Sequence, residues 1–168
     1  MVRIIDAANY LFNEYKSISG GSLLDEMKLH KLLYLAQRES LAISGRPLFY
    51  ESFEGWKFGP VSPDVRKVYS NRGIKAITND VSPEASIILN AILEEYGPIE
   101  SWSLSQLSHQ EISWKNARKG LYPDDPGNVE LKLEDIMEDA KKVRPFDHIW
   151  GMYYDEFEDI PPGEVPAV

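Results

Sequence analysis

Ser22 to Gly45 reads SLLDEMKLHKLLYLAQRESLAISG, and the spacing of its apolar residues decides the fold class. Leu29, Leu32, Leu33, Ala36 and Ser40 fall on one face of a helix, while Lys28, Lys31 and Arg38 fall elsewhere. Ser22, with Asp25 three residues on, offers an N-cap and a short capping box. Gly45 and Pro47 close the run, because glycine accepts the left-handed turn that ends a helix and proline cannot continue one.

The helical period continues on either side. Arg3 to Lys16 sets Ile4, Ala8, Leu11 and Tyr15 in one stripe, and Ser19-Gly20-Gly21 breaks it. From Leu48 to Phe58 the period changes to alternation, which predicts a short strand or aromatic-rich loop. Ser62-Pro63-Asp64 and Ser82-Pro83-Glu84 each place a cap, a proline at the first helical position and an early acid. They predict helices from Pro63 to about Asn71 and from Pro83 to a stop at Gly97-Pro98, the second with Ile88, Ala91, Ile92 and Glu95 on one face. Two short helices are expected at Ser101 to Gln110 and Trp114 to Lys119, anchored by Leu104, Leu107 and Trp114. Leu121 to Asn128 is a loop, and Leu133 to Val143 is a last helix carrying Ile136, Ala140 and Val143. The expected fold is mainly α: a single compact domain of five to seven helices, residues 1–144, with a small β-hairpin or strand element near residues 48–58. Residues 145–168 form a separate acidic aromatic tail.

Composition narrows the function classes. The 168 residues suffice for one core, and 43% hydrophobic with 27% charged residues is ordinary for a globular domain. No apolar run reaches the ~18 residues of a membrane span, and the first fifteen residues lack the pattern of an export signal, so a cytoplasmic protein is expected. The absence of cysteine removes disulfides, thiolate metal sites and thiol nucleophiles together. Charge is uneven: Met1 to Lys75 carries 11 Lys or Arg against 8 Asp or Glu, and Ala76 to Val168 carries 7 against 19. A net charge of −9 disfavours binding of nucleic acid through its phosphates and favours a basic partner. The tail concentrates this, with six acids and no Lys or Arg after Pro145 beside Phe146, Ile149, Trp150, Tyr153, Tyr154 and Phe157.

Motifs for chemistry are sparse. The histidines are His30, His109 and His148, none placed to share a metal, so neither a metal site nor a cofactor is expected. Neither a G-x-S-x-G elbow nor a phosphate-cradling G-x-x-x-x-G-K occurs. Glu51 and Glu54 read as solvated or salt-bridged acids. Lys28, Lys31 and Arg38 read as a solvated face, with a nucleic-acid stripe as the rival reading. Trp56, Phe58, Trp102 and Trp114 read as core residues by default, with a stacking role as the alternative.

The string MKLHKLLYLAQ from Met27 to Gln37, then GRPLFYESFEGWKFGPVSPDV from Gly45 to Val65, resembles the SocA-like antitoxin family, or Panacea domain, often labelled phage-associated or GepA-like. LSQLSHQEISWKNAR, Leu104 to Arg118, resembles that family's third block, with Ser108 in place of threonine and Ser113 where proline commonly precedes the tryptophan. The resemblance covers about Arg3 to Lys119. It implies a small helical domain that neutralises a toxin encoded beside it by direct binding, and it carries over no catalytic residue. A non-enzymatic binding protein is therefore expected, gripping a basic toxin through buried aromatics and acids: Trp56, Phe58, Tyr153, Tyr154, Asp155, Glu156 and Glu158. One rival is an adaptor that delivers the toxin to a Clp-type protease. The other is a hydrolase with a site near His109 and Glu111. The sequence leaves a homodimer open.

Overall fold

The computed structural model describes residues 1–72 and 81–143. Seven helices and one hairpin occur among them: α1 (Ile4–Ile18), α2 (Glu26–Ser44), β1 (Glu54–Trp56), β2 (Gly59–Val61), α3 (Pro63–Arg72), α4 (Pro83–Tyr96), α5 (Ser101–Ser108), α6 (Ile112–Ala117) and α7 (Leu133–Ala140). The architecture is the expected mainly helical one. None of these helices is long and apolar enough to cross a membrane.

Helix α2 is the axis of the molecule, packed by α1, α3, α4, α5, α7 and β2. Leu29, Leu32, Leu33 and Ala36 are fully buried, as their spacing predicts. Burying each leucine contributes about 1.5–3 kcal/mol, enough to fix the helix against its neighbours. Gly45 ends it in the left-handed conformation at φ 70°, its N–H donating to Leu41 O.

Two expectations about α2 are corrected. The N-cap is Asp25, whose Oδ1 accepts the Lys28 N–H at 2.9 Å while Oδ2 accepts the Ser101 hydroxyl at the start of α5. Ser22 lies too far upstream to do this, and one carboxylate joins two helices where a hydroxyl would serve one. The basic face is not solvated either. Lys28 and Lys31 are buried, and the Arg38 side chain is only 11% exposed, because a helix wrapped on all sides has no outward face. Lys28 Nζ donates to Gly97 O at the end of α4 and lies 5.3 Å from the centre of the Tyr15 ring.

The other elements follow their caps. Ser62 Oγ accepts the Val65 N–H at 3.3 Å and Ser82 Oγ accepts that of Ala85 at 3.2 Å, so α3 and α4 start where the Ser-Pro pairs predict. The expected stop of α3 near Gly73 lies outside the described residues. In α4 the buried face is Ala85, Leu89, Ile92 and Leu93. The predicted face of Ile88, Ala91, Ile92 and Glu95 is rotated from it, leaving Glu95 exposed. Leu107 is likewise exposed, and Leu104 alone anchors α5. Helix α7 stops at Ala140, short of the expected Val143.

The β element is an antiparallel hairpin with Glu54 opposite Val61, Gly55 opposite Pro60 and Trp56 opposite Gly59. It occupies only the end of the alternating stretch. Gln37 Oε1 accepts both the Leu48 and Phe49 N–H groups, at 2.7 and 3.0 Å, and binds that segment to α2 as irregular chain.

Candidate functional site

Lys57 and Phe58 form the tip of the hairpin, and Gly59 follows at φ +119°, a conformation that side-chain-bearing residues rarely adopt. A Cβ on Gly59 would lie 2.4 Å from Ser108 Oγ and 2.6 Å from Lys31 Cε. Glycine thus lets the strand lie directly on α2 and α5. The Ser105 hydroxyl donates to Phe58 O at 2.6 Å and the Trp114 indole to Trp56 O at 2.7 Å, which fix the hairpin from below.

Facing the hairpin is the loop that follows α6. Buried Arg118 organises it, donating from Nη1 to Gly55 O at 3.1 Å and from Nη2 to Asp125 O at 2.7 Å. A Cβ on Gly127 would meet Gly55 O at 2.3 Å, so a second glycine allows loop and hairpin to touch.

Between the start of α2, the hairpin and this loop lies a cavity of about 500 Å³. Its apolar wall includes Met27, Trp56, Phe58, Val61 and Pro126. Two ion pairs stand around it. Arg66 Nη1 donates to both Glu26 oxygens, at 2.7 and 2.6 Å, and Lys57 Nζ lies 3.3 Å from Asp124. Lys57 Nζ also sits 5.1 Å from the Phe58 ring centre.

Two buried residues of α2 complete the lining. His30 Nδ1 accepts the Ser62 N–H at 3.2 Å, so the ring proton is on Nε2 and is donated to Glu26 Oε1 at 3.2 Å. Burial, reinforced by Lys31, pushes the His30 pKa down to about 4 against the opposing pull of Glu26, keeping the ring neutral. Lys31 is 2% exposed, and its Nζ donates to Pro60 O at 3.1 Å. Burial lowers its pKa to about 7, with Glu26 opposing.

Of the expected partner-binding residues, Trp56 and Phe58 come together here. Phe58 is 41% exposed and meets Trp102, 49% exposed, edge-to-face at 5.6 Å between ring centres. Tyr153, Tyr154, Asp155, Glu156 and Glu158 lie outside the described residues. Sequence reading missed Lys31 and His30 as lining residues, and the glycines that shape the walls; spacing within α2 carries no signal for them, because the groups they meet, Pro60 and Ser62, lie in the hairpin and just after it.

His109 and Glu111 are not brought into one site. The His109 ring stacks on Trp114 at 4.2 Å and 9°, and its pKa is lowered by burial, Lys31 and Arg118. Glu111 is buried in a separate cluster one turn along α2. There Arg38 Nη1 and the Tyr34 hydroxyl donate to it, and Tyr34 reaches Asp139 Oδ2 at 3.0 Å and Ser113 Oγ at 3.1 Å. Asp139 also accepts the Ile112 and Ser113 N–H groups, at 2.6 and 3.0 Å, capping α6. Burial raises the Glu111 pKa, Arg38 opposing. Glu51 accepts the Ile4 N–H at 2.8 Å, and Glu54 the Trp56 indole at 3.1 Å. Among the described residues no group of three or more histidines and acids could hold a metal ion.

The family model described as Antitoxin SocA-like, Panacea domain, matches residues 29–115, from α2 through the hairpin into α6. Antitoxin SocA of Caulobacter vibrioides (strain NA1000 / CB15N) is 46% identical over 56 residues, 33% of this chain and 30% of that relative. The match thus spans less than a third of the curated relative's length. No solved structure matches the chain.

Proposed function

Because the chain belongs to the family described as Antitoxin SocA-like, Panacea domain, we propose that it is an antitoxin that neutralises a cognate protein toxin by binding it directly. The observation that carries this reading is the aromatic pair Phe58 and Trp102, half exposed in edge-to-face contact at the hairpin tip. Paired large aromatics left in water are costly in a free monomer and supply much of the affinity when a partner covers them. Arg118, Trp114 and Ser105 hold the hairpin backbone from beneath, so the pair is presented on a fixed support. A rigid presentation loses little freedom on binding.

The same reading gives Tyr153, Tyr154, Asp155, Glu156 and Glu158 a share in gripping a basic toxin surface. It is supported by the run of six acids without a Lys or Arg after Pro145. Neutralising Asp155, Glu156 and Glu158 together would slow association and flatten its salt dependence.

The test is co-expression with the product of the neighbouring gene. Wild type restores growth and co-purifies with that product, whereas Phe58→Ala with Trp102→Ala loses both while its thermal midpoint is retained. A harmless neighbour, or rescue by the double variant, sinks the reading. Pulse-chase decay of the toxin separates occlusion, in which the toxin persists in the complex, from delivery to a Clp-type protease, in which it disappears faster.

A further inference from the structure

The cavity beside the hairpin contains polar groups that are almost all engaged. Glu26 is held by two hydrogen bonds from Arg66 and one from His30. His30 uses both ring nitrogens, and Lys57 is paired with Asp124. The exception is Lys31. Its ammonium has three protons, and Pro60 O is the one acceptor it reaches among the described residues. No carboxylate there lies within ion-pair distance of it. A buried cation with one neutral acceptor is an unfavourable arrangement that an arriving anion would relieve.

The surroundings define which anion. At about 500 Å³ the space matches a small organic molecule, and Met27, Trp56, Phe58, Val61 and Pro126 offer it apolar contact. Inorganic phosphate or sulfate would bring more charge than one lysine answers and would leave these walls without contact.

We propose that the cavity is a binding site for a small organic acid, a single carboxylate on an apolar body, with the carboxylate on Lys31 Nζ and the body between Trp56, Met27 and Phe58. This site goes beyond toxin binding and borders it, because Phe58 lines the cavity and also belongs to the exposed aromatic pair. The charged groups around the amine set its pH behaviour: Glu26 and His30 on α2, Arg66 on α3, Lys57 at the hairpin tip, Asp124 on the loop and His109 after α5. Glu26 and Asp124 are already paired, His30 is neutral, and His109 is held towards neutrality by burial and by Lys31 itself. Lys31, with its pKa near 7, is therefore the group that titrates on binding. Below pH 7 it is already an ammonium and binding is independent of pH. Above pH 7 binding must take up a proton, so affinity falls with rising pH by up to about tenfold per unit.

Isothermal titration of the full chain with octanoate and with its neutral isostere octanamide tests this. At pH 6.5 octanoate saturates a single site and octanamide binds about tenfold more weakly or less, the ratio expected of a charge-assisted hydrogen bond. Lys31→Met abolishes the preference. Should that variant fail to fold, the decline of octanoate affinity from pH 7 to 9 in wild type carries the same information, and Phe58→Ala, at an exposed wall position, weakens octanoate severalfold. Equal affinity for acid and amide, a flat pH profile, or no saturation below about 10 mM overturns the proposal.

Discussion

Two buried polar clusters sit one turn apart on α2 and are built in opposite ways. At the Tyr34–Arg38 end, Glu111, Ser113 and Asp139 arrive from α6 and α7 and close round the helix, so nearly every donor meets an acceptor. The exception is the buried Arg38 Nε, which has no partner among the described residues. At the His30–Lys31 end the hairpin and the loop after α6 arrive instead, bringing carbonyls and aromatic faces, and a cavity is left. A charged residue buried in a helix thus becomes a structural staple or an available group according to what distant segments place beside it. The first end should be energetically expensive to disturb and the second tolerant.

The largest effect is expected at Asp139. Its carboxylate receives two backbone N–H groups of α6 and shares the single Tyr34 hydroxyl proton with Glu111. Asp139→Ala leaves the two buried N–H groups without it and Tyr34 with Glu111 and Ser113 alone, and should destabilise by about 3–5 kcal/mol, measured by urea unfolding. A loss under about 1 kcal/mol would mean that the cluster does not act as a unit.

Acid should separate the two ends next. The His30 pKa is near 4 when folded and near the ordinary 6.5 when unfolded, so the unfolded state binds more protons between those values. Its contribution is present above pH 6.5 and lost as pH falls to 4, by about 3 kcal/mol. Glu111 acts in the reverse sense: its raised pKa makes the folded state the stronger proton binder above pH 4.5, so its contribution declines as pH rises. His30→Gln should flatten the acid limb of the stability profile, and Glu111→Gln should steepen it. Parallel shifts from both variants would contradict the contrast.

The hairpin comes third. Gly59→Ala must place a methyl carbon against Ser108 and Lys31 while holding a positive φ, and should cost about 2–3 kcal/mol. If the strand lifts to relieve the clash, octanoate affinity and the hairpin's packing should be lost together. Thermal unfolding and titration of the same variant distinguish local lifting from global loss.

The difference between the ends also explains how far the sequence could be read. Local signals were legible: the apolar face of α2, the stop at Gly45, and the serine caps at Ser62 and Ser82 depend on residues within four positions of each other. Asp25 caps the helix through a local bond to the Lys28 N–H, while its second bond, from Ser101 76 residues away, leaves no local trace. The burial of Lys28, Lys31 and Arg38 could not be read from spacing, since their acceptors are at Gly97, Pro60 and Glu111. Alternation from Leu48 misplaced the strand because Gln37, on another element, takes the N–H groups of Leu48 and Phe49. Trp56 and Phe58 stand out in the motif as aromatics, and the structure places both on the cavity wall. The cavity was not, because its walls come from four separate segments and two glycines whose meaning is only their closeness to other backbone.

The smallest expected effect is the most discriminating. Lys31→Met at pH 7 exchanges a buried amine, half neutral and holding one carbonyl, for an apolar chain of similar length, and should change stability by less than about 1 kcal/mol. Raising the pH tells the lysine from a staple. Lys31 titrates near pH 7 in the folded state and near 10.5 unfolded, so from pH 7 to 10.5 unfolding must take up a proton and wild type gains stability. The methionine variant has no such gain. Wild type should therefore become the more stable of the two by pH 9, whereas an Arg38→Met variant, having lost a paired cation beside Glu111, should remain well below wild type at both pH values. A Lys31→Met deficit as large as that of Arg38→Met at pH 7 would show that both ends of α2 are closed alike.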